Sequence, residues 1–278
     1  MNPGTMLRST LLVLAAALGA GCSGGETKYI GSNQTTNTAS AACAAAPAAP
    51  PATLGLAAFY GKYLDASGIP VVSSPSVADQ ALTQACDIVV HLLVSRDDVR
   101  RAMIDNSLRI AVIGTGEVTT DLPEYSDLYT AFPDSDWDQM RGVGATNQRP
   151  VSSCGEENLL CLNGDTFQGV WVLVQTVAYA VEALGIPPID ATFTSRLQTL
   201  YDDAMAAGRF ANTFAAQKPN FYFSVGVLDW FDANREVSPA NGTYNEINTR
   251  VELKAYDSGL AALIGEYLPD DSWRPACP

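Results

Sequence analysis

Apolar residues recur at helical spacing through most of this chain and at strand spacing only in its first half. Ala78, Leu82, Ala85, Val89, Leu92 and Leu93 fall on one side of a helix predicted over 77–93. A second helix over 96–103 opens with Asp97-Asp98 and carries Arg100 and Arg101 later, the order a helix dipole favours. Leu108-Arg109-Ile110-Ala111-Val112-Ile113 alternates and is β-branched, which predicts a strand that Gly114 and Gly116 end. Ile69-Pro70-Val71-Val72 reads as a shorter extended piece. Residues 117–166 read as loop, punctuated by Pro123, Pro133 and Pro150. Helical spacing then returns over 167–184, where Trp171, Val174, Ala178, Val181 and Leu184 form a stripe that Gly185 stops. Further helices are expected over 190–207, 220–231 and, as one or two pieces, 250–268. The fold class is therefore α+β: a single domain over 54–278, with a small α/β N-terminal part followed by a mostly helical C-terminal part.

The N-terminal 53 residues follow another pattern. Arg8, the apolar run Leu11–Leu18 and small residues before Cys22 make 1–21 a lipoprotein-type signal peptide, its apolar run too short to span a bilayer. Leu18-Gly19-Ala20-Gly21-Cys22 predicts lipidation of Cys22, hence an exported chain attached to a bacterial membrane. The other reading is an ordinary cleaved secretory signal with a chance cysteine. Residues 22–53 are small and polar, so they read as a flexible tether.

The net charge of -14 becomes -15 when 1–21, whose one charged residue is Arg8, is removed. A surface that acidic argues against nucleic acid and against charge-driven binding to anionic lipid. Six cysteines suit an oxidising compartment. Cys154 and Cys161, close in sequence, are expected to pair; Cys43, Cys86 and Cys277 leave one further bridge, with Cys43–Cys277 preferred.

Several segments carry a resemblance by their joint order. They are Phe59-Tyr60-Gly61-Lys62-Tyr63-Leu64-Asp65, Thr119-Thr120-Asp121-Leu122-Pro123-Glu124, Cys154-Gly155-Glu156-Glu157-Asn158-Leu159-Leu160-Cys161, Trp230-Phe231-Asp232-Ala233-Asn234 and Asn248-Thr249-Arg250-Val251-Glu252-Leu253-Lys254-Ala255-Tyr256-Asp257. Together the chain resembles a group of secreted bacterial zincin-like, gluzincin-type metallopeptidases. The resemblance implies two histidines and a glutamate on the helix after the cysteine loop, and a distal glutamate on a later helix. Those positions fall here on Gln175, Tyr179, Thr176 and Val225. The chain has one histidine, His91, so a two-imidazole zinc site cannot form. An amide is a weak ligand, a threonine is no general base near neutral pH, and valine coordinates nothing. No metal and no cofactor is expected. The resemblance then implies an inactive homologue that holds a peptide, a protein or an envelope ligand in the former cleft.

Other readings stay open. Gln175, Thr176 and Tyr179 could be a semi-polar packing face. Glu117, Asp121, Glu124, Glu156 and Glu157 could converge for a non-zinc hydrolase, or lie as separate surface carboxylates. A purely structural envelope lipoprotein would fill the cleft with its own side chains.

Overall fold

The computed structural model describes residues 40–278. A four-stranded sheet of order β1-β2-β3-β4 is built from Lys62–Ala66, Ile69–Ser73, Arg109–Ile113 and Val151–Gly155. The pair β1/β2 is an antiparallel hairpin; β2/β3 and β3/β4 are parallel. The hairpin turns on Ser67 and Gly68, both at positive φ, with Asp65 accepting from Gly68 N. Between β2 and β3 run α1 (Asp79–Leu93) and α2 (Asp97–Asp105), the crossover a parallel pair needs.

Parallel strands are covered on both faces. Val71, Ile110, Val112 and Cys154 point into the larger core beneath the helices. Val72, Ala111, Ile113 and Val151 point the other way, into a smaller core with Leu122, Tyr125, Leu128, Trp137 and Met140. Residues 117–166, expected to be loop, thus supply that second layer, including the short α3 (Leu128–Ala131), together with the edge strand β4 and the single turn α4 (Glu156–Leu159). Strand β4 escaped the pattern because it reads Val-Ser-Ser-Cys-Gly. Its two serines are buried, and their hydroxyls are spent on neighbouring backbone: Ser152 donates to Thr176 O at 2.6 Å and Ser153 accepts from Val143 N at 3.0 Å.

The helical part holds α5 (Val172–Ala180), α6 (Phe193–Ala206), α7 (Pro219–Trp230), α8 (Arg250–Tyr256) and α9 (Ser258–Gly265). The helix expected from Phe167 begins at Val172, whose amide is held by Asn158 Oδ1 at 2.9 Å, and closes in a π-helical turn, Val181–Gly185. The Thr249/Glu252 capping box starts α8. Mixed sheet and separate helices give the α+β class expected.

Two cysteine expectations are corrected. Cys154 does not pair with Cys161, and Cys43 does not pair with Cys277; the bridges are Cys43–Cys86 and Cys161–Cys277, and Cys154 is a free thiol. The physical reason is strand direction. Cys154 points inward from β4 and is fully buried, whereas Cys161 lies beyond α4 at positive φ and meets the C-terminal tail. Nor is all of 22–53 a free tether. Cys43 is buried and bridged to α1, Ser40 N donates to Asp87 Oδ1 at 2.7 Å, and Ala48 pairs with Tyr63. The signal segment, Cys22 and the rest of the expected tether up to residue 39 lie outside the described residues. Among those described, no helix is long and apolar enough to cross a membrane.

Candidate functional site

Gln175, Thr176 and Tyr179 stand in the middle of α5, all buried, with Thr176 at 0% and Tyr179 at 1% exposure. Their helix packs against α7 on one side and β4 on the other. On α7 the side chain that meets them is Ser224, beside the expected Val225: Gln175 Nε2 donates to Ser224 Oγ at 3.4 Å. Val225 itself is also buried. Phe221, one turn earlier, sets its ring edge-on to Tyr179, with centroids 6.1 Å apart. Ser224 was missed because a one-residue shift along a buried helix leaves no mark in sequence; its hydroxyl among Phe, Val and Leu was the available signal.

An extended segment, Arg141-Gly142-Val143-Gly144-Ala145, lies along the open edge of β4. Ser153 N donates to Val143 O at 2.9 Å and Gly155 N to Arg141 O at 2.7 Å. The same segment presses on α5, and glycine is what lets it. A Cβ on Gly144 would collide with the Tyr179 ring and lie 2.7 Å from Tyr179 Cβ. A Cβ on Gly142 would lie 3.0 Å from Ser153 O and 3.3 Å from Thr176 Cγ2. The chain's own backbone therefore fills the space beside the positions where the resemblance put metal ligands.

Zinc does not fit this stripe. Gln175, Thr176, Ser224 and Tyr179 offer an amide, two aliphatic hydroxyls and a phenol, none anionic near neutral pH, and the one acid on the same face, Glu182, is a single carboxylate where a zinc site needs several ligands. Burial pushes the Tyr179 phenol far up, with Ser224 working weakly the other way. The Tyr179 hydroxyl makes no well-formed hydrogen bond in its enclosed position. Among the described residues, no group of three or more His, Cys, Asp and Glu side chains is placed to hold a metal ion.

One acid does lie on the stripe, and the sequence reading passed over it. Glu182 follows Tyr179 by one turn, in the π-helical segment. Burial raises its carboxyl to about 7. Among the described residues no hydrogen-bonding or charged group pairs with it. Its signal was the spacing 175, 179, 182, which puts it on the face of Gln175 and Tyr179.

The five expected cleft acids divide. Glu117, Glu156 and Glu157 gather beyond the C-terminal ends of β3 and β4. Glu117 accepts from Ser74, from Ser76 Oγ at 2.8 Å and from Gly114 N at 2.7 Å. Glu156 accepts from Ala78 N at 2.7 Å and Thr115 N at 3.1 Å. Glu157 takes a bidentate pair from Arg141, at 2.6 and 2.8 Å, and the same guanidinium donates to Glu117 O at 2.6 Å and Gly114 O at 2.9 Å. Asp121 instead accepts from Val118 N at 2.9 Å. Glu124 pairs with Arg109, the first residue of β3, at 2.6 Å and also accepts from Tyr60, so it sits at the opposite end of the strand.

Over the Arg141–Glu157 pair opens a cleft of about 380 Å³, walled by Thr115, Asp138, Gln139 and Thr166. Its lining mixes polar and apolar surface, Leu162 among the latter, and it is mixed in charge and accessible. Of the expected acids only Glu157 lines it. Asp138, held by Thr120 Oγ1 at 2.8 Å, was not foreseen.

His91 stands apart from the α5 stripe, on α1. It stacks on Trp273 with ring centroids 4.6 Å apart and contacts Asp87, so it fastens the C-terminal tail to α1.

No family model matches the chain, and no curated protein matches it. Among solved structures the chain is similar to a Pro-Pro endopeptidase from Paenibacillus alvei, with a TM-score of 0.47 and 15% identity over 70% of this chain and 96% of that one.

Proposed function

We propose that this chain is an exported, non-catalytic binding protein, a degenerate relative of zincin-type peptidases held to a membrane through lipid on Cys22. The observation that carries the reading is the glycine-mediated seal: Gly142 and Gly144 seat backbone directly on Thr176 and Tyr179. A peptide bond cannot be brought to those residues without displacing buried chain. The groups they offer supply neither a charged ligand set nor a general base.

Binding then moves from the sealed stripe to the neighbouring cleft over Arg141 and Glu157. That cleft falls within the size range of small-molecule sites and presents hydroxyl, amide and carboxylate groups. A short peptide or a peptide-bearing envelope fragment suits it, since each offers alternating donors and acceptors. Two disulfides are compatible with an exported protein.

Two measurements test the reading on the purified protein. Quenched fluorogenic peptide pools should show no cleavage that a chelator abolishes; chelator-sensitive turnover overturns the non-catalytic reading. Ligand-observed NMR with short peptides and soluble cell-wall peptide fragments should show binding that Thr166→Trp, which fills the cleft mouth, removes. If no probe binds, the structural-lipoprotein reading takes its place, because a sealed stripe is what that reading requires.

A further inference from the structure

Two Asn-Gly steps occur in the chain, Asn163-Gly164 and Asn241-Gly242, and the fold treats them oppositely. This step is chemically special. The glycine amide nitrogen can reach the asparagine side-chain carbon, and no Cβ hinders the approach.

At Asn241-Gly242 every participant is held. Asn241 Oδ1 accepts from Thr243 N at 3.1 Å and from Tyr244 N at 2.9 Å. Asn241 N donates to Tyr244 O at 3.1 Å, and Gly242 N, the would-be nucleophile, donates to Asn212 O at 2.8 Å. Asn212 is itself anchored, its Nδ2 donating to Ala240 O at 2.7 Å.

At Asn163-Gly164 nothing is held. Both residues are exposed, at the tip of a turn closed by Asp165 N donating to Leu162 O at 3.0 Å. Among the described residues the Gly164 amide and the Asn163 side chain have no hydrogen-bond partner. A Cβ on Gly164 would meet nothing within 4 Å. The turn also forms part of the cleft wall, through Leu162 and Gly164.

We infer that Asn163-Gly164 is a spontaneous modification site, at which Asn163 converts through a cyclic imide to aspartate and isoaspartate while Asn241 is protected. The steps balance without any added oxidant or catalyst. The Gly164 amide loses its proton and its nitrogen attacks Asn163 Cγ. The new N–Cγ bond forms as the Cγ–Nδ2 bond breaks, and Nδ2 leaves as ammonia with the proton restored to it. Water then adds at either imide carbonyl. Opening one C–N bond regenerates the normal backbone with an aspartate; opening the other leaves isoaspartate, its backbone routed through the side chain. Either product puts a new carboxylate in the turn that lines the cleft through Leu162 and Gly164, two residues before Asp165.

The inference stands apart from any ligand the cleft takes. Its test is ageing of the intact, disulfide-bonded protein in mildly alkaline buffer, followed by peptide mapping and enzymatic isoaspartate detection. The peptide holding Asn163 should gain the mass of an amide-to-acid exchange and score for isoaspartate. The Asn241 peptide should convert about tenfold more slowly, the factor one well-made hydrogen bond is worth. Gly164→Ala, which the open space around Gly164 tolerates, should slow the first reaction to the rate of the second without changing the melting temperature. Unfolding in denaturant should make the two sites equal. Equal rates in the native protein, or conversion at Asn241 first, overturn the inference. So does a native Asn163 that stays intact while the denatured chain converts.

Discussion

The sealed stripe on α5 and the open cleft at the ends of β3 and β4 both carry polar side chains, and both sit beside the extended segment 141–145. They differ in charge. Within α5 the polar groups are neutral and buried, Thr176 wholly so, and the one acid of that face, Glu182, lies past the end of the helix. Beyond β4 the carboxylates persist, and each is supplied with donors: Arg141 for Glu157, backbone amides for Glu156, serines and a glycine amide for Glu117. Neutral polar groups can be buried at modest cost, whereas an ionised group must keep either water or a partner. Where every polar group is neutral, a cleft has no electrostatic reason to stay wet. The charged end has every reason to stay at the surface, and the cleft is there.

The sharpest way to break this comparison is to remove one partner at the charged end. Arg141→Met leaves Glu157 with a side chain about 9% exposed and no counter-charge, and should cost about 3–5 kcal/mol in chemical denaturation. The double variant with Glu157→Leu should recover much of that loss, because the stranded charge goes with it. Loss of stability in the double variant as large as in the single would show that the pair matters by shape and not by charge.

The seal is tested next. Gly144→Ala places a methyl against Tyr179, and overpacking of this kind should cost about 2–3 kcal/mol. Gly116→Ala, where nothing lies within 4 Å, is the control and should change stability little. If Gly144→Ala is equally silent, segment 141–145 is loosely seated and the α5 stripe is more accessible than its burial indicates.

How much of this was legible in sequence follows the same division. Helices α1, α2 and α6, together with β3, announced themselves because each buries one face or alternates. The two faces of the sheet did not. Strand β4 is built from small polar residues whose hydroxyls bond backbone, so it carries no β-branched signature. The absence of charge at Gln175, Thr176 and Tyr179 was readable residue by residue. Their closure was not, because it depends on Gly142 and Gly144, which look like ordinary loop glycines until the edge of β4 is known. The cysteine pairing failed for a related reason. Proximity in sequence favoured Cys154 with Cys161, but strand alternation turned the first inward.

A third prediction concerns pH and sits on the stripe itself. The Glu182 carboxyl is raised by burial to about 7 from an ordinary value near 4.5. Below that ordinary value folded and unfolded chains are both protonated there, and the group costs no stability. As pH rises through the interval up to about 7, the unfolded chain ionises first and stability falls. Glu182→Gln should remove that loss and raise stability at pH 8 by about 2 kcal/mol, with no gain at pH 4. Asp229, buried and raised in the same sense, and His91, raised by its bond to Asp87, tilt stability the same way. The quantity to read is therefore the difference between wild type and Glu182→Gln across the pH range. Glu182 is half-buried, and a flat difference would mean that its carboxyl end keeps its water.

The smallest effect decides what the stripe is. Tyr179 is fully enclosed, and its hydroxyl has no well-formed partner, though Ser224 lies close enough to work on its acidity. Two outcomes of Tyr179→Phe separate two arrangements. If the hydroxyl is orphaned, its removal relieves a buried polar group and should stabilise the protein by about 1 kcal/mol. If Gln175, Ser224 and Tyr179 form a satisfied network in solution, the same change strands Ser224 and costs a similar amount. The glycine contacts favour the first outcome, because the backbone pressed on the Tyr179 ring fixes it by packing and leaves its hydroxyl where the ring puts it. Thermal melts of Tyr179→Phe, Ser224→Ala and their double variant settle the sign. Additive single effects would mark the stripe as packing alone, and a coupling between them would mark it as a satisfied polar network.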